Sequence, residues 1–270
     1  MTEIRIGCSG WSYAQWVGPF YPKGTRSSDF LKVYSRVFDT VEIDSTFYRI
    51  PGKPMIDSWR NSTPEGFLFC PKVPKEITHD MRLRNANGPM NSFLDSIREL
   101  KEKLGLVLLQ LPPSFTYSQG HEDLSGFLDS LPADLDFAIE FRGNSWFRDE
   151  VFESLRNHNV TLAWPETTYV DTPAVLTTST VYLRLVGDRS LNEESFGKVQ
   201  REMNPVIDKW SKVLNEKKHG LDHVFAFANN HFQGFGPATV NSVRKSLGME
   251  PVNWVEKMNT VVGKSQKTLF

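Results

Sequence analysis

Two carboxylates lie two residues apart on a short β-branched stretch, Thr40–Arg49, which reads Thr-Val-Glu-Ile-Asp-Ser-Thr-Phe-Tyr-Arg. Because side chains alternate between the faces of a strand, Glu42 and Asp44 share one face. Val41 and Ile43 take the other face. A buried parallel strand is normally a continuous apolar run, so paired acids inside one require a reason. General acid–base chemistry is such a reason, since two carboxylates in different surroundings can exchange protons with a substrate.

Other apolar runs of the chain also deliver polar side chains near their carboxyl ends. Glu140 and Arg142 repeat the two-residue spacing, and therefore also share a strand face. The remaining polar residues in such positions are Lys72, Gln110, Arg184, Asn229 and Asn230. Three aromatic residues in the segments that follow strands, Trp11, Tyr48 and Trp146, could stack on a sugar ring or a base.

Eight strand-like segments alternate with segments of helical periodicity. The predicted strands are Ile4–Gly7, Val41–Ser45, Phe67–Val73, Leu106–Leu111, Phe137–Arg142, Thr161–Pro165, Val181–Val186 and Val224–Ala228. The clearest predicted helices cover Asn91–Leu104 and Val199–Lys218, where Pro205 marks a kink or a fresh start. This pattern predicts an α/β fold, a TIM-type (β/α)8 barrel, with an irregular connection or short helix at the sixth unit, Thr167–Thr180.

Composition narrows the class of protein. The 270 residues are 39% hydrophobic, which suits a single barrel domain spanning residues 1–270, with residues 249–270 as a C-terminal extension packed on it. Lys+Arg number 31 against Asp+Glu 32, so no extended nucleic-acid track is expected. The apolar runs are too short for a membrane span, and no basic region followed by an apolar run is visible before the first strand, so no signal peptide is expected. Cys8 and Cys70 belong to no CxxC pair, which favours buried thiols and a cytoplasmic location.

An ordered series of motifs resembles the domain of unknown function 72 (YecE-like) family. The motifs are Gly10-Trp11-Ser12-Tyr13, Gly18-Pro19-Phe20-Tyr21-Pro22, residues 41–49, Phe67-Leu68-Phe69-Cys70-Pro71-Lys72, Leu109-Gln110-Leu111-Pro112-Pro113-Ser114-Phe115, Glu140-Phe141-Arg142 with Ser145-Trp146, and Asn229-Asn230. The resemblance implies a TIM-type barrel related to sugar-isomerase-like barrels. It implies no established activity, cofactor or catalytic residue.

In a TIM barrel the carboxyl ends of the strands meet at one mouth, where active sites form. We expect catalytic roles for Glu42, Glu140, Asp44 and Lys72, with the two glutamates as the acid–base pair. Arg142 and Arg184, together with Lys72, would bind an anionic group. Gln110, Asn229 and Asn230 would orient hydroxyls, and Trp11, Tyr48 and Trp146 would stack. The expected partner is a small polyhydroxylated or phosphorylated substrate, and the reaction class, hydrolase or isomerase/lyase, stays open.

Three alternatives compete with this hypothesis. The charged residues could form only a structural salt-bridge network, because buried charges must pair. A divalent metal is conceivable on the acids, but it is not favoured, since no HxH or HExxH spacing occurs and Lys and Arg compete for the same acids. A non-catalytic protein could instead recognise a nucleotide or a strand end through cations and aromatic rings. The histidines at 79, 121, 158, 219 and 223 are interpreted as solvated.

Overall fold

The computed structural model describes residues 2–258, in which eight strands alternate with helices. The strands are β1 Glu3–Ser9, β2 Thr40–Ile43, β3 Leu68–Pro71, β4 Val107–Gln110, β5 Phe137–Glu140, β6 Val160–Glu166, β7 Thr180–Leu185 and β8 His223–Ala228. The α-helices are α1 Phe30–Tyr34, α2 Lys53–Ser62, α3 Asn87–Arg98, α4 Tyr117–Asp129, α5 Asp149–Asn157, α6 Asn204–Lys217, α7 Asn230–Gln233 and α8 Gly236–Ser246.

The strands form one parallel sheet in the order β3-β2-β1-β8-β7-β6-β5-β4. Its two ends, β3 and β4, meet through isolated bridges, one of which pairs Lys72 with Leu108. The backbone N–H of Val73 donates to the carbonyl of Leu108 at 2.9 Å at this seam. The sheet is thus a nearly closed barrel, and the predicted TIM-type (β/α)8 architecture is confirmed.

Several predicted boundaries shift, for local reasons. The helix expected over residues 91–104 ends at Arg98, and a 3-10 turn, Lys101–Lys103, follows it. The helix expected over residues 199–218 begins only at Asn204, with Pro205 in its first turn, where the missing proline N–H costs nothing. Residues 167–179 connect β6 to β7 without a helix, as the weak periodicity of the sixth unit predicts.

Strand alternation divides the apolar residues into two layers. On β2, Val41 and Ile43 face the surrounding helices and belong to the large outer core. A smaller cluster fills the barrel interior and includes Cys70, Leu108, Ala138, Tyr182, Phe225 and Phe227. Above this apolar plug the inward-facing residues become polar, which places charged side chains beneath the mouth.

The described part of the C-terminal extension packs on the barrel. Residues 254–258 are helical, and the Trp254 ring lies edge-on to those of Phe20 and Phe235, with centroids 5.7 and 6.2 Å away. Residues 259–270 of the predicted extension lie outside the described residues. Across residues 2–258, no helix is long and apolar enough to cross a membrane. Cys8 and Cys70 are both buried, free thiols.

Two glycines of α4 test how tightly the outer layer is packed. A Cβ on Gly120 would lie 2.0 Å from the ring of Phe115, which is buried and packs against Trp146. Because this ring cannot move aside, we expect Gly120→Ala to lower the free energy of unfolding by about 1–3 kcal/mol. The matched variant Gly126→Ala places its methyl in open space on the same helix. It should raise the free energy of unfolding by up to about 1 kcal/mol, because alanine favours the helix more than glycine does. Denaturant unfolding of both variants measures this, and equal effects would contradict the packing.

Candidate functional site

The guanidinium of Arg184 holds two buried carboxylates. Its Nε and one terminal nitrogen donate to the two oxygens of Glu42, both at 2.7 Å, in a bidentate pair. Its other terminal nitrogen donates to Glu140. Both glutamates are fully buried and Arg184 is 3% exposed. Because an unpaired buried charge is costly, these three side chains depend on one another.

Two further residues complete the hydrogen bonding of the glutamates. The Tyr182 hydroxyl donates to Glu42 at 2.9 Å, and Nε of Arg142 donates to Glu140 at 2.6 Å. Burial, reinforced by the charge of Glu42, raises the pKa of Tyr182 well above its ordinary value, so the hydroxyl stays protonated and remains a donor.

Glu140 is ionised throughout the physiological range. Burial by itself raises its pKa, but the positive charges of Arg184 and Arg142 and their hydrogen bonds outweigh burial and lower the pKa to about 2. A carboxylate with so low a pKa is a weak base and carries no proton to donate at neutral pH. Its position and its charge both indicate a supporting role beneath the arginines.

Lys72 and Asp44 lie above this layer, beside Arg184. Lys72 Nζ and the Arg184 guanidinium are each 3.8 Å from Asp44 Oδ1, and Nζ lies 4.0 Å from the centroid of the Phe47 ring. Burial lowers the pKa of Lys72 to about 8; Asp44 opposes this shift and the charge of Arg184 adds to it. An amine with a pKa near neutrality can exchange protons with a substrate.

The backbone of Lys72 is held on both sides by one side chain. The Thr46 hydroxyl accepts from the Lys72 N–H at 3.0 Å and donates to the Lys72 carbonyl at 2.7 Å. Lys72 also forms the bridge to Leu108 that closes the barrel. The lysine is therefore anchored at the seam between β3 and β4, and its side chain extends into the mouth from a rigid position.

The mouth contains a cavity of about 660 Å³, which we call the mouth cavity. This volume accommodates a small ligand. Of the predicted site residues, seven line it: Asp44, Tyr48, Lys72, Gln110, Arg142, Arg184 and Asn229. They come from segments far apart in the chain, and the barrel brings them together.

Glu42 and Glu140, the expected acid–base pair, lie below the mouth cavity rather than on its wall. The two tryptophans also lie elsewhere. Trp11 packs edge-on against Trp59, with ring centroids 5.6 Å apart. Trp146 is fully buried and donates Nε1–H to a backbone carbonyl at 2.6 Å. Both rings therefore make packing contacts where stacking on a substrate was expected.

Of the two asparagines after β8, one lines the mouth cavity and the other is buried away from it. Asn229 lines the mouth cavity, and its side-chain oxygen caps α7 by accepting from the His231 N–H at 3.0 Å. Asn230 is buried, and its oxygen accepts from the Gly236 N–H at 2.8 Å and from Trp16 Nε1 at 3.3 Å. Asn230 thus holds the turn between α7 and α8 together.

Sequence reasoning missed several residues of the site. His79, interpreted as solvated, is half-buried in a π-helical turn and lines the mouth cavity. Burial lowers its pKa to about 4, and the charges of Lys72 and Arg142 act in the same direction, so its ring is neutral. Other lining residues that were missed are Phe47, Lys75, Tyr169, Asp188 and Arg189. Tyr182, which donates to Glu42, was also missed. It is the one missed residue that strand alternation could have predicted, because it lies two residues before Arg184 and therefore on the same strand face.

The acids at the mouth are engaged by cations of the protein. Within residues 2–258, no three His, Cys, Asp or Glu side chains come together in a group that could hold a metal ion. The carboxylates that could have served as ligands are bound by Arg184, Arg142 and Lys72 instead.

Comparison with known proteins points to a single family. The family model described as "Protein of unknown function DUF72" matches residues 5–262. The UPF0759 protein YunF of Bacillus subtilis is 27% identical over 86% of this chain and 90% of its own length. YecE of Escherichia coli K12 is 34% identical, but the match covers 53% of this chain and only 50% of YecE. The crystal structure of a DUF72 family protein from Thermotoga maritima superposes with a TM-score of 0.78 at 27% identity, covering 91% of this chain and 99% of that one.

The dependence of the glutamates on Arg184 can be measured as stability. We expect Arg184→Met to lower the free energy of unfolding at pH 7 by about 3–5 kcal/mol, because Glu42 loses its bidentate partner and Glu140 keeps only Arg142. The milder Tyr182→Phe, which removes one hydrogen bond to a charged group, should cost about 1–3 kcal/mol. Arg148→Met, at a half-exposed arginine outside the mouth cavity, serves as the control.

Acid unfolding tests the same pairing through pH. The folded-state pKa of Glu140, about 2, lies below its ordinary value of 4.5. The stability from this group is therefore complete above pH 4.5 and is lost as pH falls toward 2. In the Arg184→Met protein only Arg142 remains beside Glu140, so the loss of stability on acidification should be smaller than in the wild type. A parallel pH profile for both proteins would contradict the assignment.

The pKa of Lys72 is directly measurable by NMR of the lysine side chains. We expect one lysine to titrate near pH 8 and that signal to disappear in Lys72→Met. Asp44→Asn should lower this pKa further, because it removes a negative charge that favours the protonated amine. Asp80→Asn, which alters a salt bridge of Lys75 at the rim, should leave the signal in place. A Lys72 pKa near 10.5 in the wild type would exclude the effect of burial.

Proposed function

The chain belongs to the DUF72 family of proteins of unknown function, and we propose that it is an enzyme that acts on a small anionic compound, polyhydroxylated or phosphorylated, in the mouth cavity. The observation that supports this proposal best is the layering of charge at the mouth. Arg184, Arg142 and Lys72 line the cavity, whereas the two glutamates that balance the arginines lie behind them, fully buried.

This layering favours an anionic ligand. Five cationic side chains line the cavity against two carboxylates, Asp44 and Asp188, because Glu42 and Glu140 lie behind the arginines that they bind. Lys75 and Arg189 extend the positive wall toward the rim. Planar guanidinium groups suit the oxygen pairs of a phosphate or carboxylate, and their positions are held in advance by the buried acids.

In this function Lys72 and Asp44 are the residues that exchange protons with the substrate. The sequence analysis favoured Glu42 and Glu140 for that task, but both glutamates lie out of reach of a ligand in the cavity. They serve here as positioning residues that hold Arg184. Lys72 and Asp44 line the cavity, lie 3.8 Å apart and carry opposite charges, so they can act as acid and base on adjacent atoms of a substrate.

Neutral groups on the wall supply contacts suited to hydroxyls. Gln110 is 4% exposed and lines the cavity next to the charged layer, and Asn229 lines the opposite side after β8. Amide side chains both donate and accept, which is what a polyhydroxylated compound requires. Whether the reaction is a hydrolysis or an isomerisation or elimination depends on the substrate.

Two tyrosines at the rim favour a second candidate function. Tyr48 is 77% exposed, and Tyr169 is half-exposed with its ring 5.7 Å from the Arg142 guanidinium. Exposed rings beside a cationic wall can stack on a base while the wall binds a phosphate. A non-catalytic protein that recognises a nucleotide or a strand end would use the same surface.

Calorimetric titration with glycerol phosphate tests the anion site without knowledge of the true substrate. We expect saturable binding, weakened about 10- to 100-fold in Arg142→Met, because a charge-assisted hydrogen bond contributes about 1.5–3 kcal/mol. Arg148→Met, whose arginine follows the same strand but lies outside the cavity, should bind as the wild type does. Absence of binding by the wild-type protein, or equal loss in both variants, would contradict the proposal.

The same titration separates the two candidate functions. A nucleoside monophosphate or a short oligonucleotide with a terminal phosphate that binds much more tightly than glycerol phosphate would favour the nucleotide-binding alternative. In that case Tyr48→Ala and Tyr169→Ala should remove the difference, since stacking contributes about 1–3 kcal/mol per base. Similar affinities for the three ligands would favour the small-substrate enzyme.

A further inference from the structure

Among residues 2–258, two lysines are nearly buried, Lys72 and Lys103, and their surroundings differ completely. Nζ of Lys103 donates to two backbone carbonyls, of Arg60 and Thr63, at 2.7 and 2.6 Å, and to the Thr63 hydroxyl at 3.1 Å. All three of its donors are used, as expected for a lysine that holds the end of α2. Nζ of Lys72, by contrast, makes no hydrogen bond to the residues that the structure describes and points at the mouth cavity.

The immediate surroundings of the Lys72 amine suit a nucleophile. The Phe47 ring covers one side at 4.0 Å, and Asp44 lies at 3.8 Å, too far for a hydrogen bond but close enough to take a proton after a small rotation. The remaining side opens on the cavity. Because Thr46 and the barrel seam anchor the backbone, the amine is presented from a fixed point.

We propose that Lys72 is a nucleophile that forms an imine with the carbonyl carbon of an anionic, hydroxylated aldehyde or ketone bound in the mouth cavity. This inference rests on the proposed function, and it narrows the substrate to a carbonyl compound. An imine withdraws electrons from the neighbouring carbon, so the reaction would break a bond to that carbon, either C–H or C–C.

The step balances with the groups present. The neutral Lys72 amine attacks the carbonyl carbon, a C–N bond forms, and the C=O π electrons move to oxygen. Asp44 takes a proton from the nitrogen and passes it to the oxygen, which gives the neutral carbinolamine. The nitrogen lone pair then expels the hydroxyl, which leaves as water with the second N–H proton, carried by Asp44, and a C=N bond remains. Amine and carbonyl thus yield imine and one water, and no oxidant or reductant is needed.

The state of the amine supports this role. With a pKa of about 8, about one tenth of the Lys72 side chains are neutral at pH 7. This neutral fraction is about 300-fold larger than that of a lysine whose pKa is 10.5. The charged and titratable groups that face the Lys72 amine come from four parts of the barrel. β2 and the turn after it supply Glu42 and Asp44, and the π-helical turn after β3 supplies His79. β5 and the turn after it supply Glu140 and Arg142, and β7 supplies Arg184. None of them forms a hydrogen bond with the amine; Asp44, at 3.8 Å, is too far away to accept one.

Borohydride trapping tests the proposal on the 270-residue chain. The protein is incubated with dihydroxyacetone phosphate, reduced with borohydride, and digested for peptide mass spectrometry. The reduced adduct adds the mass of the carbonyl compound less one oxygen atom. We expect it on Lys72 at least about tenfold more than on Lys75, a lysine of the same cavity with half of its side chain exposed and in a salt bridge to Asp80. Labelling should rise between pH 6 and pH 8, as the fraction of neutral amine grows.

Two controls make the outcome decisive. Glycerol phosphate has no carbonyl, so it should form no adduct, and it should suppress the labelling of Lys72 by occupying the same site. Lys72→Arg, checked for folding by its thermal unfolding, should lose the adduct. Labelling of Lys72 no greater than that of Lys75 would overturn the imine even if glycerol phosphate binds. Failure of glycerol phosphate to bind the wild type would overturn the proposed function itself.

Discussion

The pairing of Arg184 with Glu42 and Glu140 imposes the strictest constraint on this molecule. The three residues lie on β7, β2 and β5, none of which is adjacent to another of the three in the sheet. Their contacts can form only across the barrel interior, so the charges are satisfied only when the sheet is curved into its nearly closed form. Desolvated carboxylates without a partner would oppose folding strongly. The arginine therefore couples the correct assembly of distant strands to the geometry of the mouth.

The order of the charged layers explains how buried acids and a cationic cavity wall coexist. The acids that balance Arg184 and Arg142 lie below them, so the arginines are held rigidly, and Arg142, with 19% of its side chain exposed, remains accessible to a ligand. Lys72 stands above this layer with its charged form disfavoured by burial. Rigid cations and one amine near neutrality are the elements that anion binding and proton transfer require.

Strand periodicity predicted much of the fold and part of the site. The alternation along residues 41–44 correctly placed Glu42 and Asp44 on the inner face of β2 and Val41 and Ile43 on the outer one. Periodicity could not predict how deep each acid lies. Glu42 is buried below the mouth, whereas Asp44, one residue past the end of β2, lines the mouth cavity. Depth along the barrel axis depends on where each strand ends relative to its neighbours, and the residue types of one strand do not encode that stagger. Trp146 shows a related limit, since a tryptophan in a loop looks the same whether it covers a ligand or packs on Phe141.

By itself, the sequence determined the class of fold, the eight strands, their approximate boundaries and the set of polar residues that end them, because period and turn chemistry are local properties. Only the tertiary structure decided which charges face one another, that Arg184 takes both glutamates, and that Lys72 is left without a hydrogen bond beside Asp44 among the described residues. It also brought His79 and Tyr169 into the cavity from irregular segments that carry no periodic signal. Pairing, burial and pKa depend on distances between residues far apart in the chain, and those distances exist only once the barrel has closed.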